Sequence, residues 1–122
     1  MKAITQMNNV EKGKLLADLF PEEMEGMVDA IKGAFDYLMD NEAEVRREWD
    51  TNLLPTDFWF RTAKQVGNAI ELQGARMVKK PRVFADQLFD GYNALFTVDT
   101  LVRYRIVSDN KKFQYAIQML FE

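Results

Sequence analysis

The stretch from Val83 to Val107 constrains the fold more than any other part of the chain, because more than half of its residues are apolar or aromatic. At the helical period its polar residues form one narrow stripe, which consists of Asp86, Asp90, Asn93, Thr97 and Thr100. The opposite face consists of Phe84, Leu88, Leu95, Val98, Val102 and Ile106, flanked by Phe89, Tyr92, Phe96 and Leu101. A helix that meets water along only one strip is packed by neighbours on its other sides. The pattern therefore predicts a central helix over residues 83–107.

Two features of the same region leave an alternative open. Gly91 costs about 1 kcal/mol relative to Ala inside a helix, so Asp90-Gly91 is a candidate turn. From Phe96 onward the residues also alternate between apolar and polar at a period of two, with turn chemistry at residues 108–110. The first prediction is an all-α fold, a single-domain bundle of four to five helices over residues 1–122. The alternative is an α+β fold with a C-terminal β-hairpin at about residues 96–121, although a lone hairpin is marginal unless something covers it.

The clearest single helix is predicted upstream, from Pro21 to about Asp40. Its apolar residues recur at helical spacing, and proline is harmless in the first turn of a helix because its N–H would be unpaired there anyway. Asn8 or Asn9 is predicted to cap a shorter helix that ends near Phe20. Another long helix is predicted over about residues 56–79, after a break at residues 51–55.

Cysteine and histidine are absent from the 122 residues. Their absence excludes disulfides, thiol nucleophiles and zinc sites built on Cys or His, and it removes the commonest general base. The spacing between Gly67 and Gly74 does not match a phosphate-binding loop. The sequence therefore favours a non-enzymatic protein and predicts no cofactor and no metal.

The net charge of −3 gives no global electrostatic reason to bind nucleic acid or anionic lipid. A local basic cluster near the C-terminus is interleaved with aromatic residues, a composition that suits a nucleic-acid surface. Its basic members are Arg103, Arg105, Lys111 and Lys112. No run approaches the roughly 20 apolar residues of a membrane span, and the N-terminal residues do not resemble a signal peptide. The expected location is the cytoplasm, with no membrane partner.

The leading functional hypothesis is a small cytosolic protein-interaction or regulatory module that self-associates, as a homodimer or other homo-oligomer, or binds another protein. It follows from an apolar content of 48% in a chain with little catalytic chemistry. The predicted interaction surface consists of Trp49, Arg103, Arg105, Lys111, Lys112 and Tyr115. Two alternatives remain: a nucleic-acid-associated accessory protein that uses the basic cluster, and a helical bundle that binds a small ligand or a metal.

Four pairs of residues also bear on packing and binding. Glycines seven residues apart share a helical face, which predicts close helix packing at Gly26, Gly33, Gly67 and Gly74, with tolerated scatter or ligand space as alternatives. Asp99 and Arg103 lie four residues apart in an apolar zone and are expected to form a buried structural ion pair. Asp86 and Asp90 are expected to form a wetted helix edge rather than a site for a hard cation.

Overall fold

The structure, a computed structural model, describes residues 3–49 and 56–122, and of Trp49 only the backbone. Most of these residues are helical, and none of them lies in a β-strand. A short 3-10 turn at Ile4–Gln6 precedes seven helices in the described ranges. They are α1 (Asn9–Leu19), α2 (Pro21–Asp40), α3 (Glu42–Trp49), α4 (Thr56–Lys79), α5 (Ala85–Phe89), α6 (Asn93–Val107) and α7 (Lys111–Phe121). None of these helices is both long enough and apolar enough to span a membrane.

The all-α prediction is confirmed, and the β-hairpin alternative is wrong. Residues 96–121 form most of α6 and all of α7, and the residues between these two helices cap α7 instead of reversing a strand. The side chain of Asn110 accepts hydrogen bonds from the backbone N–H groups of Lys112 and Phe113, at 3.0 and 3.2 Å. An N-cap of this kind satisfies donors that the helix itself leaves unpaired.

The helices outnumber the predicted four to five, in part because the predicted central helix is divided. Helical structure ends at Phe89 and resumes at Asn93. Between them Gly91 has a φ of 54°, in the left-handed region that glycine adopts without strain. The Asp90-Gly91 pair therefore forms a turn, and residues 83–107 are not one continuous helix.

Local sequence signals explain where the earlier helices begin and end. Asn8 Oδ1 accepts a hydrogen bond from the Glu11 N–H at 2.8 Å, and Glu11 Oε1 accepts one from the Asn8 N–H at 3.3 Å. This reciprocal pair is a capping box. Pro21 begins α2 directly after Phe20 ends α1, as predicted, and the predicted extents of α2 and α4 are also confirmed. The predicted break at residues 51–55 lies outside the described residues.

The central pair of helices is α2 with α4, which make the most extensive helix contact in the described residues. α2 buries one stripe, which consists of Met24, Met27, Val28, Ile31, Phe35 and Leu38. The ring of Phe35 lies so close to Gly67 of α4 that a Cβ there would be 2.5 Å from ring carbons. α6 packs across both helices. α6 also contacts α5 and α7, so the prediction of a central element surrounded by neighbouring helices is right for residues 93–107, the second half of the predicted stretch.

The shorter helices close the ends of this three-helix arrangement. α5 packs against α1, and α7 packs against α6. Phe89 of α5 is 1% exposed. Its ring lies where a Cβ on Gly13 of α1 would be, at 2.5 Å, and its centre is 5.9 Å from the ring centre of Phe121 in a stacked arrangement. One ring thus joins the first, fifth and last helices.

Candidate interaction surface on α6

α6 exposes much of the apolar face that was predicted to be core. Leu95 and Ile106 are 38% and 72% exposed, and Val98 and Val102 are half-buried. The buried side of the helix consists of Ala94, Phe96, Thr97, Thr100 and Leu101, each at most 7% exposed. The predicted inward face of residues 83–107 is therefore right for Phe84 and Leu88 and for its flanking residues Phe89, Phe96 and Leu101. It is wrong for Leu95 and Ile106.

The turn at Gly91 is the physical reason for this difference. A continuous helix would keep Thr97 and Thr100 on the wet side with Asp86 and Asp90, because residues repeat every 3.6 positions. The turn restarts the helix with a different rotation, and both threonines point inward. The Thr100 hydroxyl donates to the Phe96 carbonyl at 2.9 Å, which satisfies that group within the helix.

The outward side of α6 carries a row of residues that we call the α6 ridge. The α6 ridge consists of Leu95, Asp99, Val102 and Ile106. Their spacings of four, three and four residues match the a and d positions of a helix that pairs with another helix. Arg103 lies on the flank of the ridge, with its Nε 3.0 Å from an Asp99 carboxylate oxygen. The two side chains are 69% and 40% exposed, so this ion pair lies at the surface and not in the interior as expected.

A groove runs along each side of the α6 ridge, and Asp99 and Trp59 border both grooves. The α7 groove lies between α6, the start of α1 and the end of α7. It has a volume of about 510 Å³, and Leu95, Val98 and Val102 contribute to its walls. The α2 groove, on the other side, lies between α6, α2 and the start of α4 and has a volume of about 350 Å³. The ridge therefore projects between two depressions.

Four of the residues that line the α2 groove carry aromatic rings. Ala30 and Ala34, one turn apart on α2, leave the space, and Tyr37, Trp59, Phe96 and Tyr104 surround it. The rings of Trp59 and Phe96 meet edge to face, with centres 5.8 Å apart. The Tyr104 hydroxyl lies against Gly26, where a Cβ would collide with it. Gly26 thus allows the Tyr104 ring to occupy this wall.

The described side chains of the predicted interaction surface lie on α6 and α7. Arg103 and Arg105 lie two positions apart on α6 and so point to different sides of the helix. Arg105 is 20% exposed and pairs with Glu122 at 3.1 Å. Tyr115 is 63% exposed on α7. The side chain of Trp49 lies outside the described residues.

The basic cluster has acidic residues close to each of its parts. Both of its arginines pair with carboxylates, as described, and Lys111 and Lys112 are exposed at the start of α7. Beside them Glu22, Glu23 and Asp109 border a common depression with the α6–α7 connection. Neighbouring carboxylates lower the positive potential that phosphate binding requires. This arrangement gives little support to a nucleic-acid surface.

The four predicted packing glycines lie in two kinds of environment. Gly26 and Gly67 each lie against an aromatic ring from another helix. A Cβ on Gly33 would have no neighbouring side chain within 4 Å among the described residues. A Cβ on Gly74 would contact the side chain of Ile70, on the same helix, at 3.6 Å. Close approach is therefore a feature of one glycine in each pair.

The acidic residues do not gather into a metal site in the described part of the chain, where no group of three or more potential ligands occurs. Asp86 instead lies 3.8 Å from Lys14 Nζ, in an exposed ion pair between α5 and α1. Asp90 is exposed at the turn before α6. These positions match a wetted edge.

Comparisons with protein-family models, with curated proteins and with solved structures find no match to this chain. Sequence reasoning missed the α6 ridge because it assigned Leu95, Val102 and Ile106 to the core. Two signals pointed to the ridge, namely the glycine that interrupts the helix and the spacing of the four residues after it.

Proposed function

We propose that this protein is a small, non-enzymatic protein-interaction or regulatory module that self-associates through the α6 ridge. The observation that carries the proposal is the exposure of Leu95 and Ile106, with half-buried Val102 between them, at the spacing of a helix-pairing seam. Apolar side chains gathered on a surface and rimmed by charged ones mark protein contacts. The cytoplasmic location expected from the sequence stays a prediction.

The shape around the ridge supports a helical partner. Helices pack when the side-chain ridge of one enters the groove of another. The α6 ridge supplies the first element, and the α7 groove, at about 510 Å³, supplies the second directly beside it. Burial of the ridge removes apolar surface from water, which lowers the free energy by about 25 cal/mol for each Å² buried. Asp99 lies within the ridge and pairs with Arg103 on its flank. Charges in such a position select partners more than they add affinity.

Two aspartate substitutions, Leu95→Asp and Ile106→Asp, test this function. We expect the wild-type protein to associate as its concentration rises and each variant to remain at the 14.2 kDa of a single chain, because a buried unpaired carboxylate opposes association. Sedimentation velocity measures the mass, and circular dichroism checks that the helices persist. Leu72→Asp is the matched control, since Leu72 is 84% exposed on α4 and borders neither the α2 groove nor the α7 groove. Equal effects of all three substitutions would contradict the assignment of the ridge.

A second candidate function is the binding of a small, uncharged aromatic molecule in the α2 groove. Its volume of about 350 Å³ lies in the range of small-molecule sites, roughly 300 to 1,000 Å³. Its ring walls offer edge-to-face and stacked contacts to an aromatic ligand. The charged groups at its rim, Asp99 and Arg103, already neutralise each other.

A filled groove tests this second candidate. The probe is 2-naphthol, and the readout is the set of backbone NMR shifts that move on titration. We expect shifts around α2 and α6 in the wild type, their loss in Ala34→Phe, and their retention in Ala43→Phe, which adds the same ring to an exposed position on α3. Shifts scattered over the surface, or shifts that survive in Ala34→Phe, would exclude a specific site.

A further inference from the structure

The α6 ridge is complementary to itself when it is reversed. In an antiparallel helix pair with two-fold symmetry, each residue on one side of the axis meets a residue on the other side. An axis that passes between Thr100 and Leu101 places Leu95 beside Ile106 of the second copy. The same axis places Asp99 beside Val102 of the second copy. One register therefore aligns all four members of the ridge.

The charges on the ridge fit the same register. Arg103 follows Asp99 by one helical turn on the same flank, where their ion pair is exposed. Reversal of the second helix brings Arg103 of the second copy to within about 1.5 Å of the height of Asp99, and symmetry makes this contact twice. In a parallel, in-register pair Asp99 would face Asp99 across the interface, and the two Arg103 side chains would lie on opposite flanks. Like charges opposite each other are disfavoured, so the charge order selects the antiparallel arrangement.

The existing ion pair does not prevent the exchange of partners. Exposed pairs within one helix contribute little to stability. Both side chains keep access to solvent, at 40% and 69% exposure, and can reach across an interface. An unrelated helix would need the same spacing and the opposite charge order, whereas a second copy carries both by symmetry.

From this fit we infer that the partner of the α6 ridge is the α6 ridge of a second copy of this chain, packed antiparallel with two crossed contacts between Asp99 and Arg103. The inference rests on the proposed function and adds to it the identity and the orientation of the partner. The chain contains no cysteine, so engineered cysteines report contacts without background.

Disulfide cross-linking of full-length variants tests the register. We expect Leu95→Cys mixed with Ile106→Cys to form a cross-linked dimer on mild oxidation, and neither variant to do so alone. In the antiparallel pair the two copies of position 95 lie about 16 Å apart along the helix axis, whereas a disulfide needs Cα atoms within roughly 7 Å. Leu72→Cys mixed with Leu95→Cys controls for random collision.

The outcomes separate this inference from the proposed function. Cross-linking of each variant alone, without enrichment in the mixture, would mean parallel pairing, which overturns the inference and leaves self-association through the ridge standing. A wild-type chain that remains monomeric at every concentration overturns both and leaves the ridge to a different protein. A dimer that persists in Leu95→Asp also overturns both, because its interface lies elsewhere.

Charge reversal provides a second measurement. We expect Asp99→Arg and Arg103→Asp each to weaken dimerisation by about tenfold, since each places like charges across the interface. The double variant Asp99→Arg/Arg103→Asp restores complementary pairs in the opposite order and should recover most of the wild-type affinity. A double variant as weak as the single ones would overturn the inference, because the recovery requires crossed pairs.

Discussion

α2 and α6 both carry many apolar residues, but they use them differently. α2 buries its apolar stripe and turns charged residues such as Asp29 and Asp36 to water. α6 buries one side and presents Leu95 and Ile106 on the other. In α2 the sequence stripe identifies the core face directly. In α6 apolar residues occur on both sides, so the inward side is set by the Gly91 turn and by the surrounding helices. The difference teaches that apolar periodicity predicts a buried face only where the opposite face is polar.

The comparison is tested most strongly within α6, by truncating one leucine from each side. We expect Leu101→Ala to lower the free energy of unfolding by about 2–5 kcal/mol, because Leu101 is 0% exposed and its loss leaves a cavity. Leu95→Ala should cost less than about 1 kcal/mol in the monomer. Urea denaturation at low protein concentration measures both. Equal costs would mean that both sides of α6 are core.

The two long helices of the central pair offer a matched test with glycine. We expect Gly67→Ala to destabilise the fold by about 1–3 kcal/mol, because the new methyl group would overlap the buried Phe35 ring. Gly33→Ala should instead stabilise it by about 0.5–1 kcal/mol, since alanine favours the helix and meets open space. Thermal and urea unfolding give both values. The same sign for both substitutions would contradict the described contact.

The turn that separates α5 from α6 can be perturbed directly. We expect Gly91→Ala to cost about 1–2 kcal/mol, because a side chain is strained at its φ of 54°. Asp90→Ala is the control, because it changes an exposed residue of the same turn that does not have a positive φ. A neutral Gly91→Ala would mean that the turn can adopt another conformation, and the rotation of α6 would then lose its explanation.

The smallest effect concerns the polar side of α2. The Lys32 ammonium donates to Asp36 at 3.0 Å, and this hydrogen bond is the main reason that the pKa of Lys32 is raised above its ordinary value of 10.5. Partial desolvation opposes the shift, and the Glu71 carboxylate on α4 adds to it. A raised pKa means that the folded state holds this proton more tightly, so the stabilisation is present below pH 10.5 and is lost as pH rises through the folded-state pKa.

The measurement compares wild type with Lys32→Gln across the alkaline range. We expect a small stability advantage of the wild type at neutral pH that narrows above pH 10.5. Lys64, exposed on α4, provides Lys64→Gln as a control without this pair of carboxylates. A difference in stability between wild type and Lys32→Gln that grows with rising pH would contradict a raised pKa of Lys32.

Much of the fold could be predicted from the sequence where local signals agree with the packing. Pro21 fixes the start of α2, the asparagine caps fix α1 and α7, and the apolar stripe of α2 matches its burial. The helix count and the identity of the central pair could not be predicted. The apolar residues from Val83 to Val107 recur at helical spacing without a break. This spacing does not indicate how far a turn at Gly91 rotates the helix that follows it.

The candidate surface was less accessible to sequence reasoning. Arg103 was singled out for its charge and does lie on the flank of the α6 ridge, but the apolar members of the ridge were assigned to the interior. Whether an apolar side chain is exposed depends on which other helices pack against that face. The packing is set by the assembled fold. The sequence pattern of one helix therefore does not predict which of its apolar side chains are exposed.

The ring of Phe89, which touches α1 and stacks on α7, has a consequence for how the molecule opens. Helices from both ends of the chain share this contact, so fraying at one end should weaken the other. We expect the buried amides of α1 and α7 to exchange with deuterium as one cooperative unit. The buried amides of α2 and α4 should exchange only when the whole molecule unfolds. The two ends of the chain would then open together, although they are the most distant parts of the sequence.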